Sequence, residues 1–259
     1  MPKLLFSLLI LTAILLQSCQ HNDFKEEEVS NPKTNLSKAA TYNVQLGLGY
    51  LKQGDRPRAK RKLLTAIKQA PNSPDVNSAM AYYFEQSNEM EKAKKYYLKA
   101  IDLSSSSGAQ LNNYGTFLCR IGDYTHAEPY FLKAVKDEQY IHTSGAYENA
   151  GLCALEVPDV AKAKQYFTLA LNHDPSRRES LLELVKLAQK KGNAAEALLL
   201  FKEHPDLVLN DKMLLAMAKE MASKEGKMDL ALAYENKLKE MEPGIVNSGV
   251  KNEYNNHIG

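Results

Sequence analysis

The chain has 259 residues, 44% of them hydrophobic, and its 33 Lys/Arg stand against 31 Asp/Glu for a net charge of +2. That length and apolar content suit one or two ordinary domains, and a near balance of interspersed charge, with no basic stripe, excludes an electrostatic nucleic-acid footprint. Histidines 21, 126, 142, 173, 204 and 257 are scattered, with no HExxH and no Cys/His cluster at zinc spacing, so the sequence predicts no metal, no cofactor, no small-molecule substrate and no enzymatic role.

The first element is an export segment over residues 1–18. Lys3 supplies the charge and Leu4 to Leu16 a 13-residue, mostly apolar run, long enough for a secretory signal but short of the roughly 20 residues of a membrane span. It ends in Leu16-Gln17-Ser18-Cys19, the pattern of a bacterial lipobox: Leu three residues before a cysteine and a small residue just before it. Cys19 is therefore the expected lipidation site and the first residue of the mature chain. Two or more acyl chains there anchor stably where one is marginal. Gln20 is not the aspartate that retains such proteins at the inner membrane, so the expected location is the periplasmic face of the outer membrane. Residues 19–38 have few apolar groups and mixed charge, a composition that predicts a flexible, lipidated tether.

A repeat follows. Ala59, Ala93, Ala127, Ala163, Ala197 and Ala231 are spaced 34, 34, 36, 34 and 34 apart. Four residues after each stand Leu63, Tyr97, Phe131, Phe167, Phe201 and Glu235. Small residues Gly47, Ala81, Gly115 and Gly151 lie twelve before, and Gly54, Gly122, Gly192 and Gly226 five before, with Asn88 and Pro158 in that place in the other two repeats. This is the tetratricopeptide repeat. It predicts an all-α, right-handed superhelical solenoid of six repeats and twelve antiparallel helices over residues 39–245, since no single helix pair buries its own apolar face. Two extra residues near Ile141 to Thr143 predict a longer loop between repeats three and four. Repeat six departs from the pattern at Lys219 and Glu235 and reads as a polar cap, with residues 246–259 as a C-terminal tail.

In such a solenoid the first helix of each repeat lines a concave groove. By repeat position the candidate partner-binding residues are Val44, Leu48 and Leu51 in repeat one, Tyr82 in repeat two, Asn112 and Thr116 in repeat three, and Leu152 and Leu155 in repeat four. Ser78 and Glu85 fall in the same set of positions. Val44, Leu48 and Leu51 form an apolar stripe, which reads either as a partner site, as a surface covered by the tether, or as core if repeat one is rotated. Cys119 and Cys153 fall on first helices of adjacent repeats. They read as a disulfide, permitted in an oxidising periplasm if the Cα atoms come within about 7 Å, or as two small buried apolar residues.

The stretches "LNNYGTFLCRIGDYTHAEPYFLKA" (111–134), "YENAGLCALEVPDVAKAKQYFTLALNHDP" (147–175) and "LLELVKLAQKKG" (181–192) resemble the six-repeat type IV pilus biogenesis/stability lipoproteins, the PilF/PilW-type pilotins of Gram-negative bacteria. The resemblance covers nearly the whole chain and is most specific at "NNYGTFLC". It implies an outer-membrane pilotin that binds the type IV pilus secretin subunit, localises it and promotes its multimerisation. Two other readings use the same features: a lipoprotein scaffold for peptidoglycan or outer-membrane-protein assembly, and a periplasmic thiol redox protein acting through Cys119 and Cys153.

Overall fold

The computed structural model describes residues 32–241. The export segment 1–18, Cys19 and the tail 246–259 lie outside the described residues, which form two compact units, one up to Pro71 and one from Asn72. Every regular element in both is helical.

The first unit holds one antiparallel pair, α1 (Pro32–Lys52) and α2 (Arg56–Gln69). α1 begins earlier than expected, so residues 32–38 extend the first helix rather than ending the tether. Proline at the first helical position is favourable because its missing N–H has no intrahelical partner there, and Ala39 and Ala40 then carry the helix on.

In the second unit repeat two is α3 (Pro74–Gln86) and α4 (Met90–Leu103), and repeat three is α5 (Gly108–Arg120) and α6 (Tyr124–Ala134). Repeat four is α7 (Thr143–Glu156) and α8 (Val160–His173), and repeat five α9 (Arg178–Lys190) and α10 (Ala194–Glu203). The short α11 (Pro205–Leu209) precedes repeat six, α12 (Lys212–Lys224) and α13 (Met228–Glu240). The expected twelve helices thus become thirteen among the described residues. Pro205 starts the extra one at its first position, and Val208 docks it into the core at 1% exposure. The connection between repeats three and four, residues 135–142, is the lengthened loop that the insertion predicted.

The repeat positions are the packing positions. Ala59, Ala93, Ala127, Ala163 and Ala197 are fully buried, and beside them Leu63, Tyr97, Phe131, Phe167 and Phe201 are nearly so. In repeats one to four the residue twelve before the alanine is small and admits the bulky one four after it: a Cβ on Gly151 would stand 2.7 Å from the Phe167 ring, and one on Gly47 2.7 Å from Leu63 Cγ. The turn between paired helices needs a left-handed residue. Gly54, Gly122, Gly192 and Gly226 supply it with φ between +69° and +84°, and Asn88 adopts +59°, a region where asparagine is the tolerated non-glycine. In repeats one, four and five the next helix then starts on a side-chain cap, Asp55, Asp159 and Asn193 each accepting a backbone N–H three residues on.

Candidate functional site

The candidate groove residues divide between the two units. In the first, Val44, Leu48 and Leu51 lie along one flank of α1 and are half-buried. At about 100° per residue they sit beside the line of Ala40 and Gly47, which face α2 and are buried. The stripe is therefore the shoulder of the pair's core, with part of each side chain open to solvent. Tyr42 and Leu46, one turn apart on the opposite side of α1, are far more open at 67% and 47% exposure. Repeat position missed them because it assigns the outer face of a first helix no role, although two apolar residues at i and i+4 on a polar face were legible as such.

In the second unit the first helices are joined by polar side chains. Ser78 on α3 donates to Gln110 Oε1 on α5, and Gln110 Nε2 donates to Asp75 Oδ1 at 2.9 Å. At the C-terminal end of α3, Glu85 accepts from Arg120 of α5 and from the Tyr97 hydroxyl of α4, the latter at 2.9 Å. Burial, reinforced by the Glu85 charge, pushes the Tyr97 phenol far above its ordinary range, so it remains a donor. Burial works to lower the Arg120 guanidinium, but its bonds to Glu85 raise it. Ser78 and Glu85, placed in the groove by repeat position, are buried and engaged with their neighbours.

Tyr82 remains half-buried, with the Arg120 guanidinium 5.8 Å from its ring centroid, a cation–π contact. Asn112 and Thr116 lie one turn apart on α5, with Thr116 Oγ1 donating to the Asn112 carbonyl at 2.8 Å, and they share a partner not singled out from sequence: Asn149 of α7 donates Nδ2 to Asn112 Oδ1 at 3.0 Å and reaches Thr116 Oγ1 at 3.4 Å. Asn113 is the corresponding position in repeat three, an asparagine recurrence visible in the alignment. Leu152 is exposed and Leu155 half-buried one turn apart on α7. Glu148, one turn before Leu152 on that helix, accepts from Ser180 Oγ of α9 at 2.8 Å and from Arg177 Nη2 at 2.5 Å.

Cys119 of α5 and Cys153 of α7 are joined as a disulfide, with Cα atoms 5.8 Å apart. It links the same two helices as Asn149, so repeats three and four are tied covalently and by hydrogen bonds along one face. Among the described residues no group of three or more His, Cys, Asp or Glu is placed to hold a metal ion, and no helix is long and apolar enough to cross a membrane. What this face offers is amide, aromatic and apolar side chains on a rigid row of helices, chemistry suited to gripping a polypeptide segment.

Residues 44–108 match the tetratricopeptide repeat family. The type IV pilus assembly protein PilF of Pseudomonas aeruginosa is 36% identical over 148 residues, 57% of this chain and 59% of that protein, so the alignment spans about three-fifths of that relative's length. A Haemophilus influenzae protein described only as uncharacterized is 36% identical over 120 residues, 46% of this chain and 67% of its own. The solved structure of Pseudomonas aeruginosa PilF superposes with a TM-score of 0.62 at 30% identity, covering 81% of this chain and 95% of that one. PilW, described as a widely conserved type IV pilus biogenesis factor, superposes with a TM-score of 0.59 at 24% identity over 78% of this chain and 93% of its own, a likeness of fold. With a 30%-identical relative matched over 95% of its length and the repeat signature in place, the chain belongs to the PilF/PilW family of tetratricopeptide-repeat type IV pilus biogenesis proteins.

Proposed function

We propose that the chain is the outer-membrane pilotin of a type IV pilus machine. Anchored by acyl chains on Cys19 at the periplasmic face, it binds the secretin subunit, carries it to the outer membrane and promotes its multimerisation. The observation that carries the reading is the likeness to PilF, a type IV pilus assembly protein, over 95% of the solved chain. The lipobox pattern ending at Cys19 supports the address, and the row of tied first helices supports a rigid grip. On this reading the first unit contacts the client through the apolar shoulder of Val44, Leu48 and Leu51, and the second through Tyr82, Asn112, Thr116, Leu152 and Leu155. An apolar surface rimmed by polar groups is the usual mark of such a contact.

The test is to delete the gene and follow secretin multimers in outer-membrane fractions. Loss or misplacement of multimers is expected; normal multimers in the right membrane would overturn the reading. Joint replacement Leu48→Glu with Leu51→Glu is expected to weaken secretin binding at least tenfold while the helical signal is unchanged, and undiminished affinity would move the contact off α1.

A further inference from the structure

The second helices of successive repeats are bridged by polar side chains in the middle of the second unit. Lys162 of α8 donates to Glu128 of α6 at 2.8 Å, the Tyr166 hydroxyl donates to the same carboxylate at 2.5 Å, and Lys164 of α8 pairs with Glu196 of α10. Among the described residues no such bridge joins α10 to α13. In its place α10, α11 and α13 enclose an open-sided cleft of about 580 Å³. Its walls are apolar, and three of the large side chains that line it are exposed: Leu199 at 55%, Leu209 at 39% and Leu230 at 36%.

Singly exposed apolar residues are ordinary, but three converging on one concavity of ligand-site size are not. The charge at the cleft is equally one-sided. The charged side chains in its lining are Lys202 and Lys227, with no carboxylate among them, and neither lysine has an ion pair among the described residues. Lys227 stands at the start of α13, where the unsatisfied N–H groups add positive charge to the same rim. Two other clefts on this unit differ: one contains the Glu128–Lys162 pair, and another mixes Asp102 and Asp137 with Lys133 and Lys136.

We propose that the cleft between α10 and α13 is a second docking site, and that it takes an amphipathic helix of a partner protein whose apolar residues are flanked by Asp or Glu. Two helices diverging over an apolar floor form the groove in which a third helix lays residues at i, i+3, i+4 and i+7. Lys202 and Lys227 then select the sign of its flanks, since like charge against an unpaired rim lysine is repelled. The site lies wholly within the second unit and does not depend on the pilotin reading or on the surface of α1.

The test uses the full chain and a fluorescein-labelled 18-residue helical peptide with leucines at those spacings and glutamates on the flanks. A peptide of the same pattern with lysines is the control. Saturable binding of the acidic peptide is expected, weakening with added salt, with the lysine peptide at least tenfold weaker. Lys202→Glu with Lys227→Glu should reverse that preference. Leu199→Asp with Leu230→Asp should abolish binding of both peptides while circular dichroism is unchanged, these leucines being exposed. Equal binding of the two peptides, or binding indifferent to these replacements, overturns the proposal. So does sedimentation in which Leu199→Asp with Leu230→Asp dissolves a dimer, which would make the occupant a second copy. A chain ending at Met241 that binds the peptide tenfold more tightly would make residues 242–259 the occupant, with the same consequence.

Discussion

Lys219 of α12 and Glu235 of α13 form an ion pair, Nζ to Oε2 at 3.4 Å, at the position where Gly151 elsewhere receives the ring of Phe167. The two departures of repeat six from its pattern are therefore one contact in two chemistries. In repeats one, three and four a missing side chain, at Gly47, Gly115 and Gly151, makes room for a bulky one. At the end of the array, where solvent reaches the crossing, a long cation meets a carboxylate that Lys239 also holds at 3.0 Å. Lys239 and Lys219 together keep the Glu235 carboxyl below its ordinary range. An exposed pair of this kind stabilises little. Removing it with Lys219→Ala and Glu235→Gln is expected to leave the urea midpoint almost unchanged. Restoring the steric version with Lys219→Gly and Glu235→Phe should raise it, because an aromatic ring then fills the crossing.

The first helix pair carries its own control for the steric argument. Gly47 and Gly49 share α1, but a Cβ on Gly47 would fall 2.7 Å from Leu63 Cγ and 2.8 Å from its Cδ2, whereas one on Gly49 meets nothing within 4 Å. Leu63 is fully buried and cannot swing away. Gly49→Ala is expected to stabilise by about 0.5–1 kcal/mol through helix propensity alone. Gly47→Ala gains the same propensity and loses more to overpacking, for a net cost of about 1–2 kcal/mol. Chemical denaturation of the two variants, two positions apart, should shift in opposite directions.

His204 closes α10 and opens α11, half-buried beside the apolar cleft. Burial lowers its imidazole below the ordinary value, and the Glu203 charge offsets this in part. Just below about pH 6.5, the ordinary value, the unfolded chain therefore binds more protons at this site than the folded one. The stability it contributes is complete above about pH 6.5 and declines as the pH falls through the folded value. Asp211, held low by its bond from Arg178, titrates only in the carboxylate range and stays charged throughout this window. Between pH 7.5 and pH 5 the urea midpoint of the native chain is expected to fall, and that of His204→Asn to fall less.

The repeat was legible because its signals are steric and recur. Alanine at a helix crossing, an aromatic four residues on and a left-handed turn residue each have one physical reason, and each occurs where the 34-residue period places it. The candidate site was legible only as a face. Repeat position located Tyr82, Asn112 and Thr116, but could not foresee that Glu85 would be buried under Arg120 and Tyr97, since that depends on what the adjacent repeat carries at the same height. Asn149, which ties Asn112 and Thr116 to α7, was missed for the same reason. Helix α11 was missed because five residues carry no periodicity, and Pro205 signals a stop as readily as a start.

The cysteine pair turns on a distance that sequence spacing leaves open. Helix axes pack about 8–10 Å apart, wider than the Cα separation a disulfide spans, but backbone lies about 2.3 Å off each axis, so facing Cα atoms come closer than the axes do. Cys119 and Cys153 face each other in this way at 5.8 Å, 34 residues apart in sequence. Closing a loop of that size stabilises by about 3–4 kcal/mol if the whole effect is entropy removed from the unfolded chain. Non-reducing peptide mapping of the native protein is expected to find the two residues in one linked species, with neither thiol open to alkylation after denaturation. The joint variant Cys119→Ser with Cys153→Ser should keep its helical signal and lose up to that amount of stability, with the loosened contact falling between α5 and α7. Hydrogen exchange should report it there, as faster exchange at the amides around Asn112, Thr116 and Asn149, whose side-chain bonds span the same two helices. Faster exchange confined to other repeats would mean that the bridge does not hold this face together.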